Sequence, residues 1–287
     1  MYEYVCAVIV GIVEGLTEYL PVSSTGHMII IGHMLGFEGP LADVFDIFIQ
    51  LGAILSVVVV YKEKFIKMLP RKNWFSNRGA SPFNIAVAMF PACLMGLLCH
   101  GLIKNYLFGP LTVIIGLIAG GIFMIVAEKM KQKFVVTDVD HISSRKALQI
   151  GLFQCLSLWP GFSRSGSTIA GALFLGVSRK ASADFSFIMA VPLMFLAVTY
   201  DLLKSWNSLS FSDFGVLAVG FVTSFIVAYI SILWFLKFLN RSTLTAFAYY
   251  RFIFATFSAY YFFSEKEFVY DIIYNIIHNI FLFLTLF

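Results

Sequence analysis

Glu14 and Glu18 stand four residues apart, just ahead of the string Pro21-Val22-Ser23-Ser24-Thr25-Gly26-His27. A second string, Pro160-Gly161-Phe162-Ser163-Arg164-Ser165-Gly166-Ser167-Thr168, follows at an offset of 140 residues from Ser23 to Ser163. At a spacing of four, the two carboxylates share one helix face, where their repulsion invites a hard cation such as Mg2+ or Ca2+. Pro21 stops a helix and Gly26 admits unusual backbone angles, so the amides around Ser23, Ser24 and Thr25 can form an anion-binding nest. His27 lies one helical turn beyond Ser24, within reach of that hydroxyl as a general base. Arg164 supplies a guanidinium that can fork onto phosphate oxygens. Ser163, Ser165 and Thr168 add hydroxyl donors, and a helix resuming near Gly166 would aim its first amides at an anion. Together these are the parts needed to hold and hydrolyse a phosphate.

Each group also has a plainer reading. A glutamate can cap backbone, a histidine can fill a polar gap in packing, and Arg164 can neutralise Glu14 or Glu18 while doing nothing else. The surroundings weigh against the plain readings. Hydrophobic residues make up 60% of the chain and charged ones 13%, against roughly 45–50% and 25% in soluble domains. The chain therefore reads as an all-α polytopic integral membrane protein, and unpaired polar groups inside hydrocarbon cost several kcal/mol. The net charge of +4 sits in short loops, so it is a topology signal and not a nucleic-acid footprint. Cys6, Cys93, Cys99 and Cys155 lie in apolar stretches without metal-type spacing and read as small hydrophobes. The first apolar stretch carries Glu14 and Glu18 and does not read as a cleavable signal.

The elements that must position these groups follow from hydropathy. Six windows of membrane length cover about 41–61, 83–103, 111–127, 182–203, 214–236 and 243–263. Alternate loops carry fifteen Lys and Arg on one face (62–82, 128–146, 178–181, 237–241) and two on the other (104–110, 204–213), which makes the basic face cytoplasmic. Two stretches remain, 2–37 and 147–177, each broken near its middle by Pro21 or Pro160-Gly161. The orientation allows either two full spans or a re-entrant hairpin in each. The second halves, 22–37 and 161–177, are short and rich in Ser and Gly, which favours re-entrant helical hairpins, the first entering from outside and the second from inside.

The halves also match. At an offset of 140, Gly11 meets Gly151, Glu14 meets Gln154, Ser23 meets Ser163, Gly26 meets Gly166 and Gly52 meets Pro192. One hairpin and three spans per copy invert the second copy, so residues 1–263 predict one membrane domain with an inverted-topology repeat, about 1–127 and 147–263. The two polar strings should meet where the repeats face each other. Residues 264–287 place Asp271, Asn275, His278 and Asn279 at helical spacing and read as an amphipathic interfacial helix or a contact between copies in a homo-oligomer.

The Glu-x-x-x-Glu spacing, Leu-Pro-Val-Ser-Ser-Thr-Gly-His and Pro-Gly-Phe-Ser-Arg-Ser-Gly resemble the undecaprenyl-diphosphate phosphatase family, associated with bacitracin resistance, over residues 3 to about 263. The resemblance implies an enzyme of the bacterial plasma membrane that removes the terminal phosphate of a long-chain prenyl diphosphate. That frees the monophosphate carrier for peptidoglycan synthesis. Carried over by position, Glu14, Glu18, Ser24, His27, Ser163, Arg164 and Thr168 are the site residues, with a divalent cation and a site towards the outer face. Tyr250-Arg251 resembles part of the family's last span, with Arg251 read as snorkelling to the inner interface. His33, His100 and His141 carry no motif.

Two rival readings compete with this one. Lipid phosphatases that form a phosphohistidine need a histidine six residues past the arginine, where this chain has Ala170. A lipid-phosphate flippase would use the same inverted repeat, but binding alone does not require a Ser24–His27 pair beside two acids. The nucleophile stays open between Ser24, with His27 as base and Glu14 and Glu18 holding the cation, and a water that Glu18 or His27 activates.

Overall fold

The computed structural model describes residues 1–107, 109–130, 134–205 and 213–264, and the expectation for 264–287 falls outside these beyond Ser264 itself. Among the described residues all regular structure is helical, apart from isolated bridges of Arg78 with Ser143 and Val136 with Val177. In chain order the helices are α1 (Tyr2–Thr17), α2 (Ser24–Met34), α3 (Pro40–Val60), α4 (Lys62–Met68), α5 (Pro82–Tyr106), α6 (Pro110–Lys129), α7 (Ser144–Gln154), α8 (Arg164–Phe174), α9 (Arg179–Ser205), α10 (Phe214–Leu239) and α11 (Thr245–Ser264).

The local chemistry explains the boundaries. Pro40, Pro82 and Pro110 occupy first helical turns, where the missing amide hydrogen costs nothing. Ser81, Ser143 and Ser163 accept from the amides of Asn84, Lys146 and Gly166, as N-caps do. Five helices, α3, α5, α6, α9 and α10, are long and apolar enough to cross a membrane. The sixth expected span coincides with α11, which is as long as α6, but its tyrosines and Arg251 keep it out of that group. Pro91 and Pro192 lie inside α5 and α9, which membrane helices accept because neighbours re-satisfy the freed carbonyls.

The two broken stretches fold as helix, turn, helix. α1 ends at Thr17 and α2 begins at Ser24; α7 ends at Gln154, a short 3-10 turn covers Cys155–Leu158, and α8 begins at Arg164. Each second helix is preceded by a serine with positive φ, Ser23 at 74° and Ser163 at 77°, the only such non-glycine residues among those described. A side chain in that region costs about 1–3 kcal/mol and persists only when its surroundings hold it. α1 lies against α10 and α7 against α5, while α3 meets α9 and α6 meets α11. Contact there is backbone-close: a Cβ on Gly11 would sit 2.9 Å from the Gly220 carbonyl, and one on Gly151 would sit 2.1 Å from that of Ala88.

The largest buried cluster gathers side chains from α3, α6, α8, α9, α10 and α11 and the turn after α1, among them Tyr19, Val57, Met124, Ile169, Phe187 and Phe235. The cysteines are free; Cys6 is buried and the others half-buried.

Candidate active site

The turns after α1 and before α8 come together around a cavity of about 170 Å³. Glu18, Ser23, Ser24 and Thr25 line it from the first turn, and Ser163 and Arg164 from the second. Six of the residues singled out from sequence therefore share one wall, although up to 146 positions separate them. Gln50 on α3, Met194 on α9 and Ser157 and Trp159 before the second turn complete much of the lining. Sequence reasoning gave none of these four a role, although Trp159 directly precedes the second string; Gln50, a lone amide inside an apolar span, was the legible signal among them.

Glu18 is the hub. Ser24 Oγ donates to its Oε2 at 2.5 Å, and Arg164 Nη2 donates to its Oε1 at 3.0 Å. Both partners of that ion pair are largely buried, with side chains 9% and 12% exposed. Arg164 also donates from Nη1 to the Ser186 carbonyl at 3.3 Å and lies over the Tyr19 ring, 5.5 Å from its centroid. Its buried Nε has no partner among the described residues. The arginine thus neutralises Glu18 while one of its donors is left buried and unsatisfied by any described residue.

The expected Ser24–His27 contact is replaced by another arrangement. His27 is buried; its Nδ1 lies 2.8 Å from the Ser23 carbonyl and its Nε2 lies 2.8 Å from Tyr250 Oη. A carbonyl only accepts, so Nδ1 carries the proton. The ring stacks on Phe254 with centroids 3.8 Å apart and planes 2° apart. Aromatic packing from α11 turns the imidazole away from Ser24 and onto the backbone of the strained Ser23.

The other expected residues lie behind the wall. Glu14 does not line the cavity; it is 1% exposed, and its Oε1 has no partner among the described residues. Ser165 Oγ donates to the Leu20 carbonyl at 3.0 Å, tying the two turns together. Thr168 donates to the Arg164 carbonyl at 2.8 Å and shares a hydrogen bond with Ser186 Oγ at 2.6 Å. Gly26 sits in the first turn of α2, where a Cβ would meet Val113 Cγ1 at 3.2 Å.

Arg251 is the residue whose position was misjudged. It does not snorkel: it is 0% exposed and gives its donors to five backbone carbonyls. These are Gly161 (2.7 Å), Phe162 (2.9 Å) and Pro21 (3.4 Å) in the two turns, with Gly116 and Leu117 on α6 (3.0 Å each). Gly161, at φ 90°, packs so closely on α6 that a Cβ would fall 2.2 Å from the Val113 carbonyl. An intramembrane arginine with no acidic neighbour in sequence was the available sign that it had a buried task.

As a cation site the cavity offers little protein. Among the described residues no group of three or more His, Cys, Asp or Glu could hold a metal ion, and Glu18 is the single carboxylate lining the cavity. That set fits a magnesium-type ion, which binds through one or two carboxylates, waters and substrate phosphate oxygens. It does not fit an all-protein cage.

The family described as Bacitracin resistance protein BacA matches residues 7–257 of the chain. Among curated relatives, Undecaprenyl-diphosphatase 1 of Bacillus cereus is 49% identical over 256 residues, covering 89% of this chain and 97% of the relative. The proteins of that name from Bacillus thuringiensis subsp. konkukian and Bacillus anthracis match with the same identity and coverage.

Proposed function

The chain belongs to the family of the bacitracin resistance protein BacA, and from that premise we propose that it hydrolyses undecaprenyl diphosphate to undecaprenyl phosphate and inorganic phosphate. It is a membrane hydrolase that returns a lipid carrier to use in cell-wall synthesis. The observation that carries the reading of the site is the chain of contacts Ser24–Glu18–Arg164 on the cavity wall.

A serine hydroxyl is a poor nucleophile until a base takes its proton. Glu18 is bonded to that hydroxyl and is the base. Ser24 Oγ attacks the terminal phosphorus, its proton passes to Glu18, and the bond from that phosphorus to the bridging oxygen breaks. Glu18 gives the proton to the departing lipid phosphate. It then takes one from water, which attacks the phosphoserine, and returns it to Ser24 Oγ as inorganic phosphate leaves.

Charge spreads over the equatorial oxygens during each transfer. Arg164, on the cavity wall, and the amides opening α2 and α8 lie where that charge would develop. A divalent cation held by Glu18 and the diphosphate oxygens would neutralise further charge. His27 and Arg251 hold the turns.

Six spans, with α11 as the last, and two re-entrant hairpins related by an inverted repeat are the membrane arrangement that accounts best for the structure. Its supports are the paired positive-φ serines and the reciprocal packing of α1 on α10 and α7 on α5. With the basic loops cytoplasmic, residues 1–263 form one domain in the bacterial plasma membrane whose cavity opens towards the outer face. Phosphate release from undecaprenyl diphosphate by the purified chain tests the function; no release from folded protein, with or without Mg2+ or Ca2+, would refute it.

A further inference from the structure

A second cavity, of about 240 Å³, lies away from the catalytic wall, between α4, the start of α5 and the 3-10 turn Val139–His141. Lys64, Lys67 and Arg78 line it, with Asn73, Ser76 and one carboxylate, Asp140. Lys64 is paired with Asp140 at 2.6 Å, whereas Lys67 and Arg78 form no ion pair with a described residue and are exposed. The cavity therefore keeps a surplus of positive charge beside hydroxyl and amide groups.

Met68 and Pro82 line this cavity and also a neighbouring groove of about 570 Å³. The groove is almost wholly apolar: Phe65, Ile85, Met89 and Cys93 face Val191 and Pro192 of α9. A cationic pocket thus adjoins an apolar groove, with Met68 and Pro82 in both walls. Beside it Ile66, Leu69, Trp74 and Phe75 are exposed, apolar residues among lysines, as in a segment lying in the head-group layer. No residue of either wall lines the catalytic cavity.

We propose that this pair of cavities is a binding site for an anionic glycerophospholipid of the cytoplasmic leaflet. The phosphate head rests among Lys67, Arg78, Asn73 and Ser76, and one acyl chain lies in the groove between α5 and α9. Charge complementarity selects the head, and basic pockets at the cytoplasmic ends of membrane helices bind such heads. Adjacency of the pocket to the groove, with Met68 and Pro82 common to both, selects a lipid over a free anion.

The test is retention of phosphatidylglycerol against phosphatidylcholine by the purified full chain, read by native mass spectrometry after exchange in mixed micelles. Phosphatidylglycerol should be held preferentially, and Lys67→Ala with Arg78→Ala should weaken it roughly tenfold to thirtyfold, the scale expected for two interfacial cations. Ala86→Trp, which fills the groove from an exposed position, should weaken it with the cationic pocket intact. Turnover of a short-chain prenyl diphosphate in detergent should be unchanged in all of these variants. Equal retention of the two lipids, undiminished retention by the double variant, or displacement by millimolar inorganic phosphate would each overturn the proposal. So would preferential retention of a prenyl monophosphate over phosphatidylglycerol.

Discussion

Arg251 donates from Nη2 to the carbonyl of Gly161 at 2.7 Å, reaching across ninety residues of sequence to the turn that carries Ser163 and Arg164. The same guanidinium reaches Phe162 and Pro21, so one side chain fastens both cavity-lining turns to α6. Lysine keeps the charge but has three donors in place of five and no planar fork. Arg251→Lys should fold, lose thermal stability, and lose at least about tenfold in kcat with a smaller change in KM, because geometry and not binding is disturbed. Wild-type turnover together with a wild-type melting temperature would show that the turns hold themselves.

Arg164→Lys tests the phosphate clamp. The variant keeps a positive charge near Glu18 but loses the second donor of the fork. Turnover should fall by about two orders of magnitude, the scale of losing one preorganised donor to transition-state charge. Near-normal turnover in folded Arg164→Lys would reduce the arginine to a structural partner of Glu18.

His27 separates positioning from proton transfer. Its protonated Nδ1 holds the Ser23 carbonyl, a task that an amide donor can share. His27→Gln should therefore retain a measurable fraction of activity, on the order of a tenth. A general base would be worth about 10²–10⁴ in rate, so loss on that scale in stable His27→Gln would return the imidazole to the chemistry. Tyr250→Phe, which removes only the contact at Nε2, should cost less than threefold or so.

Much of this site was legible because proline and glycine act locally. Pro21 and Pro160-Gly161 marked both turns, and the serines that follow became the positive-φ caps. Glu18 and Arg164, 146 residues apart, were expected to converge because they lie in the two strings that facing repeats bring together; the direct pairing that forms was the plainer reading of Arg164. Glu14 and Glu18 do keep helical spacing, since the Glu18 amide donates to the Glu14 carbonyl at 2.9 Å, but Glu18 stands at the end of α1 and lines the cavity while Glu14, one turn earlier, stays in the helix packing. His27 and Arg251 were misread for a shared reason: their partners are backbone carbonyls and rings of distant helices. Carbonyls have no identity in a sequence, and no spacing rule reveals them.

The membrane arrangement is open to direct test. Single cysteines in a cysteine-free background at positions 73–79 should resist an impermeant thiol reagent in intact cells and react once the membrane is opened. Cysteines at 106 or 109 should react from outside. Labelling of 73–79 in intact cells would invert the topology and move the cationic cavity to the wrong leaflet.

The central claim is that Ser24, deprotonated by Glu18, attacks the terminal phosphorus. The most direct measurement is phosphate release from undecaprenyl diphosphate by purified Ser24→Ala, with folding verified by its melting temperature. Direct attack leaves the variant no nucleophile, and its rate should fall by about a thousandfold or more, the scale of removing a nucleophile that acts as one unit with its base. A residual rate near a hundredth of wild type would assign the attack to water and leave Ser24 as a hydrogen-bond donor. Robust hydrolysis by Ser24→Ala would contradict the account outright.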